Sequence, residues 1–203
     1  MIDGATLVTV LRHGAVDGRS HVYRGADDAG MTPAGRQQLE LRAAHLAVPP
    51  FDRIASSPYR RCLAFARRYA EASGAALEVV EAFRERAFGA WEGLTPDEAA
   101  LADPEPHRLF RASAGTLAPP GGESAAQLRA RVEAGWTAWL RAAGGGHRLL
   151  VTHAGVMRAL LMQLLGLPPT HAYRIALPEA AYFQVSILAG EAPVLLRLNS
   201  CAD

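Results

Sequence analysis

Short, almost continuous apolar runs alternate along the chain with longer segments in which apolar and polar residues are mixed. The first run, Thr6 to Leu11, is rich in β-branched residues, as is typical of a strand covered on both faces. We predict further strands at 53–56, 77–80, 149–152, 181–188 and 194–198, with the last two forming a hairpin. The spacing of these runs leaves room for a helix between most neighbouring strands.

Capping signals mark where the helices begin. Thr32-Pro33 and Ser57-Pro58 each place a hydroxyl before a proline, and Thr95 to Glu98 and Ser124 to Gln127 have the spacing of capping boxes. These signals predict helices from 33 toward 46, from 57 to about 72, a short one from 95, one from 124 to 141 and one from 154 to 166. Gly144-Gly145-Gly146 would break the chain before the strand at 149–152.

Strands that alternate with capped helices predict a three-layer α/β/α sandwich with a mostly parallel sheet. We expect one domain spanning residues 1–203, since no linker or internal repeat divides the chain. Prolines at 104, 106, 119 and 120 frame a segment at 94–123 that we interpret as a small cap or lid.

Three of the predicted strands end in residues suited to phosphate chemistry. These endings are Arg12-His13-Gly14, Ser56-Ser57-Pro58 with Arg60 and Arg61 beyond it, and His153-Ala154-Gly155. Parallel strands bring their carboxyl ends to one edge of the sheet, where helix N-termini also favour anions. Arginine binds phosphate oxygens through two N–H groups, and nearby positive charge keeps a histidine neutral and nucleophilic.

Composition narrows the chemistry further. The chain has no lysine, and all 21 of its basic residues are arginine, which excludes Schiff-base chemistry on a lysine and a Gly-Lys-Ser/Thr phosphate loop. The net charge of +1 argues against a nucleic-acid surface. Cys62 and Cys201 form no metal-type pair, and we expect neither a metal nor a cofactor. The absence of a basic leader before the first apolar run, and of any membrane-length apolar stretch, predicts a cytoplasmic protein without a membrane partner.

Five ordered motifs resemble the histidine phosphatase superfamily, also called phosphoglycerate mutase-like, over nearly the whole chain. They are Leu11-Arg12-His13-Gly14, Tyr23 to Asp28 followed by Met31 to Gly35, Ser56 to Cys62, Arg84 to Gly93, and Val151 to Gly155. In this register the family's phosphate-binding arginine falls on Arg61 rather than Arg60. The resemblance implies a small-molecule phosphomonoester as substrate.

The resemblance also implies a role for each matched residue. His13 would be the nucleophile that becomes phosphorylated, and Arg12, Arg61 and His153 would hold the phosphoryl oxygens. Glu85 would protonate the leaving alcohol and then activate water. From the residues alone, Glu81 and Glu92 are equally plausible in that role. Arg24, Gly25 and Ala154 would contact the substrate.

Other positions match no catalytic motif or depart from the family. His21, His45, His107, His147 and His171 are interpreted as surface or structural residues, and Trp136 and Trp139 as packing residues on an amphipathic helix. Ala15 and Arg19 stand where many members have Glu and Asn, so we expect a differently built entry loop. The sequence does not predict an oligomeric state.

Three functions fit the resemblance: a phosphomonoester phosphatase, a cofactor-dependent phosphoglycerate mutase, and a non-catalytic phosphate-binding relative. The last is disfavoured because every implied catalytic position holds the required residue type. Mutases use a lysine and an adjacent arginine pair in and after the Glu box, whereas this chain has no lysine and only the isolated Arg108 and Arg111 at 94–123. Details such as Asp27-Asp28-Ala29 and Pro119 to Ser124 look like α-ribazole-5′-phosphate phosphatases of cobalamin assembly; the alternative is a broad-specificity sugar-phosphate or nucleotide phosphatase.

Overall fold

Strands and helices alternate along residues 4–141 and 145–199, the part of the chain that the computed structural model describes. The strands are Thr6–Arg12 (β1), Arg53–Ser56 (β2), Ala76–Val79 (β3), His147–Thr152 (β4), Tyr182–Ile187 (β5) and Val194–Asn199 (β6). The α-helices are Pro33–Leu46 (α1), Arg60–Ser73 (α2), Pro96–Ala102 (α3), Pro104–Ala112 (α4), Ala125–Arg141 (α5) and Ala154–Leu164 (α6). Short 3-10 helices cover Glu81–Phe83, Gly89–Trp91 and Pro169–Arg174.

The strands form one sheet in the order β3-β2-β4-β1-β5-β6. The first four strands in this order are parallel to one another. Strand β5 runs antiparallel to β1 and pairs with β6 in the predicted hairpin, which carries a register shift between Gln184 and Val185. The mostly parallel sheet is therefore confirmed, and β4, although distant in sequence, separates β1 from β2.

Helices cover both faces of the sheet, as the three-layer prediction requires. Consecutive residues of β1 divide between the faces: Val10 packs in the core under α5 and α6, whereas Leu11 packs in the core under α1 and α2. Trp136 and Trp139 of α5 are buried in the first of these cores, which confirms that they are packing residues. This alternation explains why β1 reads as a continuous apolar run.

The predicted caps are present at three of the helix starts. The Thr32 hydroxyl accepts a hydrogen bond from the backbone N–H of Gly35, and both reciprocal bonds of the Thr95–Glu98 capping box are formed. The Gln127 side chain accepts a hydrogen bond from the Ser124 N–H, and the Gln127 N–H donates to the Ser124 hydroxyl. These bonds satisfy N–H groups that a helix start otherwise leaves unpaired.

The predicted cap at Ser57 is wrong. Helix α2 begins at Arg60, with Tyr59 as its N-cap residue and no side-chain cap. The Ser57 hydroxyl lies instead 2.6 Å from Nε2 of His153, because β2 ends against β4 and brings the two residues together. Ser57 therefore belongs to the site at the strand ends and not to the helix.

The segment predicted as a cap, 94–123, contains α3 and α4, of which the sequence analysis predicted only the first. Pro104 and Pro106 occupy the first turn of α4, where a missing N–H costs nothing. Trp91, Ala99 and Phe110 form a separate small core there, and Tyr23 packs against it. The segment is thus held against Trp91 and Tyr23, which lie outside it, by a small apolar cluster that is separate from the two main cores.

Two further expectations concern cysteines and membranes. Cys62 is buried and unpaired, and burial raises the pKa of its thiol to about 12. Cys201 and Gly144 lie outside the described residues. Within 4–141 and 145–199, none of the helices combines the length and the apolar character that a membrane crossing needs.

Candidate active site

The carboxyl ends of β1, β4 and β2 lie side by side, because β4 separates the other two strands. The residues that follow these strands, His13, His153 and Ser57, therefore emerge at one edge of the sheet. The His13 and His153 rings meet edge to face with their centroids 5.3 Å apart. The convergence predicted for these three strand ends is confirmed.

His13 is held as a neutral ring with one nitrogen left for a ligand. Its Nδ1 donates a hydrogen bond to the carbonyl oxygen of Gly14 over 2.8 Å, so the proton of the neutral ring is on Nδ1. Burial, followed by the positive charge of Arg12, holds the pKa of His13 well below its usual range. We infer that Nε2 carries a free lone pair at neutral pH.

The loop after His13 lies directly on the start of α1. A Cβ atom at Gly14 would lie 2.1 Å from the carbonyl oxygen of Gly35, so only glycine fits at this contact. The N–H of Thr32 donates to the carbonyl oxygen of Ala15 over 2.9 Å. The helix start therefore fixes the backbone that positions His13.

Arg61 is fully buried beside the two histidines. Its Nε donates to Nδ1 of His153 over 3.1 Å, its Nη2 donates to the Gly25 carbonyl over 3.0 Å, and its Nη1 donates to the Asp27 carbonyl. Since Nδ1 of His153 accepts, the ring proton is on Nε2 and is donated to Ser57. Burial and then the charge of Arg61 hold the pKa of His153 well below its usual range.

The structure separates the two neighbouring arginines and places His153 behind one of them. Arg61 forms part of the wall of a cavity that His13 also lines, whereas Arg60 is exposed. His153 is fully buried with both ring nitrogens hydrogen-bonded, and it is not part of the cavity wall. Its implied role in transition-state charge therefore stays a prediction.

Arg12 brings a second guanidinium to the same cavity. Its Nη1 donates to the Leu177 carbonyl over 2.6 Å, while its Nε is buried without an acceptor among the described residues. Burial lowers the pKa of Arg12. Across 4–141 and 145–199, no carboxylate oxygen lies within 4.0 Å of the guanidinium nitrogens of Arg12 or Arg61. The two guanidinium groups are thus not ion-paired within the described residues, although Glu85 and Glu179 line the same cavity.

Glu85 is one of three carboxylates that line this cavity, with Glu133 and Glu179, and it is the one that lies in the family's motif. It accepts hydrogen bonds from the backbone N–H groups of Arg86 over 2.9 Å and of Gly155 over 3.3 Å. A Cβ atom at Gly155 would lie 2.3 Å from Oε1 of Glu85. The glycine that follows His153-Ala154 therefore makes room for the carboxylate.

Two alternatives to Glu85 lie elsewhere. Glu92 accepts hydrogen bonds from the backbone N–H groups of Ala26 and Phe88, at 3.0 and 2.9 Å, and does not line the cavity. Glu81 is exposed and lies 3.9 Å from Arg84. Sequence motifs alone could not distinguish the three, because the difference is which of them faces the histidines.

Two arginines to which no sequence motif assigned a role, the buried Arg86 and the half-buried Arg131, hold the Glu85 segment. Arg131 of α5 donates to the carbonyls of Ala82, Arg84 and Glu85 and forms a two-point ion pair with Glu123. Arg86 donates to the carbonyls of Gly115, Leu117 and Glu123. Their only sequence signals are their positions, one beside Glu85 and the other on the buried side of α5.

The predicted substrate contacts all line the cavity, which has a volume of about 970 Å³. Arg24 pairs with the Asp27 carboxylate at 2.8 Å and donates to the Arg19 carbonyl at 2.7 Å. Gly25 offers its carbonyl to Arg61, and Ala154 opens α6, whose N-terminal N–H groups favour an anion. Their contacts with substrate stay predictions.

Most of the outer wall comes from outside the segment expected to cap the site. From 94–123 only Ala114, Gly115 and Thr116 line the cavity, while α5, α6 and the 3-10 helix at Pro169–Arg174 supply a larger part of the wall.

The remaining histidines differ in their places. His21 lines the cavity and has a left-handed backbone at φ 56°, which no sequence pattern indicated. His107 and His147 are buried and hydrogen-bonded, to Tyr23 and to Thr9 respectively, so both are structural.

The entry loop is tied to α3 by a residue that departs from the family. Arg19 donates to the Glu98 carboxylate over 2.8 Å and to the Gly93 carbonyl over 3.1 Å. The hydrogen bond from Arg19 is the main cause that lowers the pKa of the exposed Glu98 carboxyl to about 2. The differently built loop predicted from Arg19 is therefore anchored to the segment at 94–123.

Residues 8–200 match the family model described as histidine phosphatase superfamily (branch 1). The chain belongs to the histidine phosphatase superfamily. Within 4–141 and 145–199, no three His, Cys, Asp or Glu side chains are grouped so that they could hold a metal ion.

Curated relatives of this histidine phosphatase differ in length and in name. A bifunctional protein of Mycobacterium tuberculosis is 33% identical over 178 residues, which are 87% of this chain but 49% of the relative, so the chain spans about half the length of that protein. A glucosyl-3-phosphoglycerate phosphatase of Mycolicibacterium vanbaalenii is 31% identical over 79% of this chain and 75% of its own. An adenosylcobalamin/α-ribazole phosphatase of Salmonella typhimurium is 25% identical over 95% of this chain and 96% of its own.

A solved structure is similar throughout. The native structure of a mycobacterial glucosyl-3-phosphoglycerate phosphatase superposes with a TM-score of 0.83 at 29% identity, covering 97% of this chain and all of that one. A superposition over this share of the chain agrees with the three-layer fold described above.

Because buried histidines stay neutral in the folded protein, acid should weaken the fold. Burial is the main cause that lowers the pKa of His13, His147 and His153. Below about pH 6.5 the unfolded chain binds protons that the folded protein does not, so the free energy of unfolding should fall by up to about 1.4 kcal/mol per pH unit for each such histidine. Urea unfolding between pH 7 and pH 5.5 measures this slope.

The variant His147→Gln should flatten that slope, whereas replacing the exposed His45 by glutamine should leave it unchanged. A free energy of unfolding that does not change over this pH range would contradict the assignment of neutral buried histidines.

Proposed function

We propose that this chain hydrolyses phosphomonoesters through a phosphohistidine intermediate on Nε2 of His13. The observation that supports the proposal is the arrangement of charge around His13. A neutral histidine with one free ring nitrogen lies beside two guanidinium groups that have no carboxylate within ion-pair distance among the described residues. A phosphoryl group supplies negative oxygens to pair with the two guanidinium groups, and its phosphorus is the atom that the histidine attacks.

In the first step, Nε2 of His13 attacks phosphorus and the bond between phosphorus and the alcohol oxygen breaks. Arg12 and Arg61, which both line the cavity, neutralise the phosphoryl oxygens. Glu85 acts as the general acid that gives a proton to the departing alcohol. The N-terminal N–H groups of α6 add to the positive potential at the same place.

In the second step, water attacks the phosphoryl group on His13. Glu85, now a carboxylate, takes a proton from the water, the P–N bond breaks, and inorganic phosphate leaves. His13 recovers its neutral ring and Glu85 its proton, so the site returns to its starting state. The backbone N–H groups of Arg86 and Gly155 hold the carboxylate in one place for both transfers.

We favour hydrolysis over a mutase reaction, in which the phosphoryl group would move to a second position on the substrate. The two arginines considered for binding a glycerate carboxylate, Arg108 and Arg111, are exposed and do not line the cavity. Arg108 forms an ion pair with Glu105 on the outside of α4. The segment at 94–123 therefore brings no basic side chain of its own to the site.

Candidate substrates divide between sugar-acid phosphates and α-ribazole phosphate. The glucosyl-3-phosphoglycerate phosphatases support the first class, and the α-ribazole phosphatase of S. typhimurium supports the second, with a role in cobalamin assembly. A cavity of about 970 Å³ has room for the leaving group of either class.

Three further expectations stay predictions. They are a cytoplasmic location, a single domain, and the absence of nucleic-acid or membrane partners.

His13→Ala should abolish hydrolysis of p-nitrophenyl phosphate, because no other group in the cavity offers a free ring nitrogen beside both arginines. A colorimetric assay of nitrophenol release measures this loss. Adding EDTA to the same assay should leave the activity of the unaltered protein unchanged. The exposed His45→Ala variant is the matched control and should keep full activity. Substantial turnover by His13→Ala would contradict the nucleophile assignment.

Arg61→Ala should lower kcat/KM for p-nitrophenyl phosphate by about a hundredfold or more, because it removes donors that stabilise transition-state charge. Arg60→Ala should stay within about twofold, since that side chain is exposed. Comparing these two variants controls for the loss of one positive charge from the same helix turn. Equal losses would show that the wrong arginine has been assigned.

A further inference from the structure

Arg158 is a cavity-lining cation that the hydrolytic mechanism leaves unused. It projects from the second turn of α6, and its side chain is half-buried. Its Nε donates to the Ala172 carbonyl over 3.1 Å, and its guanidinium carbon lies 5.0 Å from the centre of the Tyr173 ring. The hydrogen bond and the stacked ring hold the guanidinium in a fixed position on the outer wall.

No carboxylate neutralises this guanidinium in the described part of the chain. Glu133 and Glu179 line the same cavity, yet neither lies within 4.0 Å of the guanidinium nitrogens of Arg158. Burial is the main cause that lowers the pKa of Arg12; Glu85 and Glu179 act against it, and the charge of Arg158 adds a smaller lowering effect. The cavity wall beyond Arg12 and Arg61 therefore carries a guanidinium that is not ion-paired within the described residues.

The position of Arg158 suits the leaving group better than the phosphoryl group. Arg12 and Arg61 already surround His13 at the strand ends, whereas Arg158 lies among Ala159, Ala172 and Tyr173 on the side formed by α6 and the 3-10 helix. The cavity is far larger than a phosphate ion needs. A substrate that fills it places part of its alcohol against this wall.

We propose that Arg158 is a specificity-determining residue that binds a second anionic group, a carboxylate or another phosphate, on the leaving alcohol. This inference rests on the proposed function. Guanidinium pairs with both groups through two parallel N–H···O bonds, and stacking on Tyr173 keeps the fork oriented. The preferred substrates are then phosphomonoesters of acidic alcohols rather than of neutral ones.

Two matched substrate pairs test the proposal. Glycerate 3-phosphate and glycerol 3-phosphate differ in a carboxylate, and fructose 1,6-bisphosphate and fructose 1-phosphate differ in a second phosphate. For the unaltered protein, kcat/KM should favour the acidic member of at least one pair by about ten- to a hundredfold, the range of one charge-assisted hydrogen-bonded pair. The pair that shows the preference identifies the anion.

Variants assign that preference to Arg158. Arg158→Gln should reduce the ratio of kcat/KM values within the preferred pair to within about threefold of unity, mainly through KM of the acidic substrate. Arg158→Lys keeps the charge and should retain part of the ratio. Arg174→Gln removes an exposed arginine of the neighbouring 3-10 helix that does not line the cavity, and should leave the ratio unchanged.

The outcomes separate the two proposals. Equal kcat/KM within both pairs, or a preference that survives Arg158→Gln in a folded variant with an unchanged circular dichroism spectrum, would overturn the role of Arg158 and leave the hydrolytic function standing. Failure of the unaltered protein to hydrolyse any of these esters or p-nitrophenyl phosphate would overturn the proposed function itself.

Discussion

The site is organised around a buried positive charge that no carboxylate pairs with directly. Arg61 is buried at the cavity wall, and within the described residues only carbonyl oxygens and the His153 ring accept its hydrogen bonds. Burying a guanidinium in this way is costly, because neutral acceptors replace only part of its hydration. In the proposed mechanism, the phosphoryl group of the substrate supplies the negative charge that pairs with this guanidinium.

That constraint also sets the state of the histidines. The charges of Arg12 and Arg61 add to burial in disfavouring protonation, so His13 stays neutral beside them. The same arrangement makes Arg61 and Ser57 take both ring nitrogens of His153, so that of these two neighbouring histidines only His13 lines the cavity. The proposed nucleophile and the proposed anion site therefore depend on one arrangement of charge. The backbone contact of Gly14 with Gly35 then fixes the loop that carries His13.

Local sequence signals were sufficient to predict most of the fold and the strand ends that meet at the site. The run from Thr6 to Leu11 predicted a strand covered on both faces, observed as Thr6–Arg12, and parallel strand ends brought His13, Ser57 and His153 together. Ser57 was misread as a helix cap because its partner, His153, lies 96 residues away in the chain. Arg131 and Arg158 were missed for the same reason, since each acts through carbonyls or rings from other segments. Contacts between distant segments leave no local pattern.

The most direct test of the account is to detect the covalent phosphohistidine intermediate. In Glu85→Gln the good leaving group of p-nitrophenyl phosphate should still depart, whereas water should no longer be activated to cleave the P–N bond. Mass spectrometry of the rapidly quenched variant should find one acid-labile phosphoryl group on His13, absent from the doubly substituted His13→Ala, Glu85→Gln protein and from Glu92→Gln. A Glu85→Gln protein that carries no phosphoryl group, or carries it on another residue, would contradict the account.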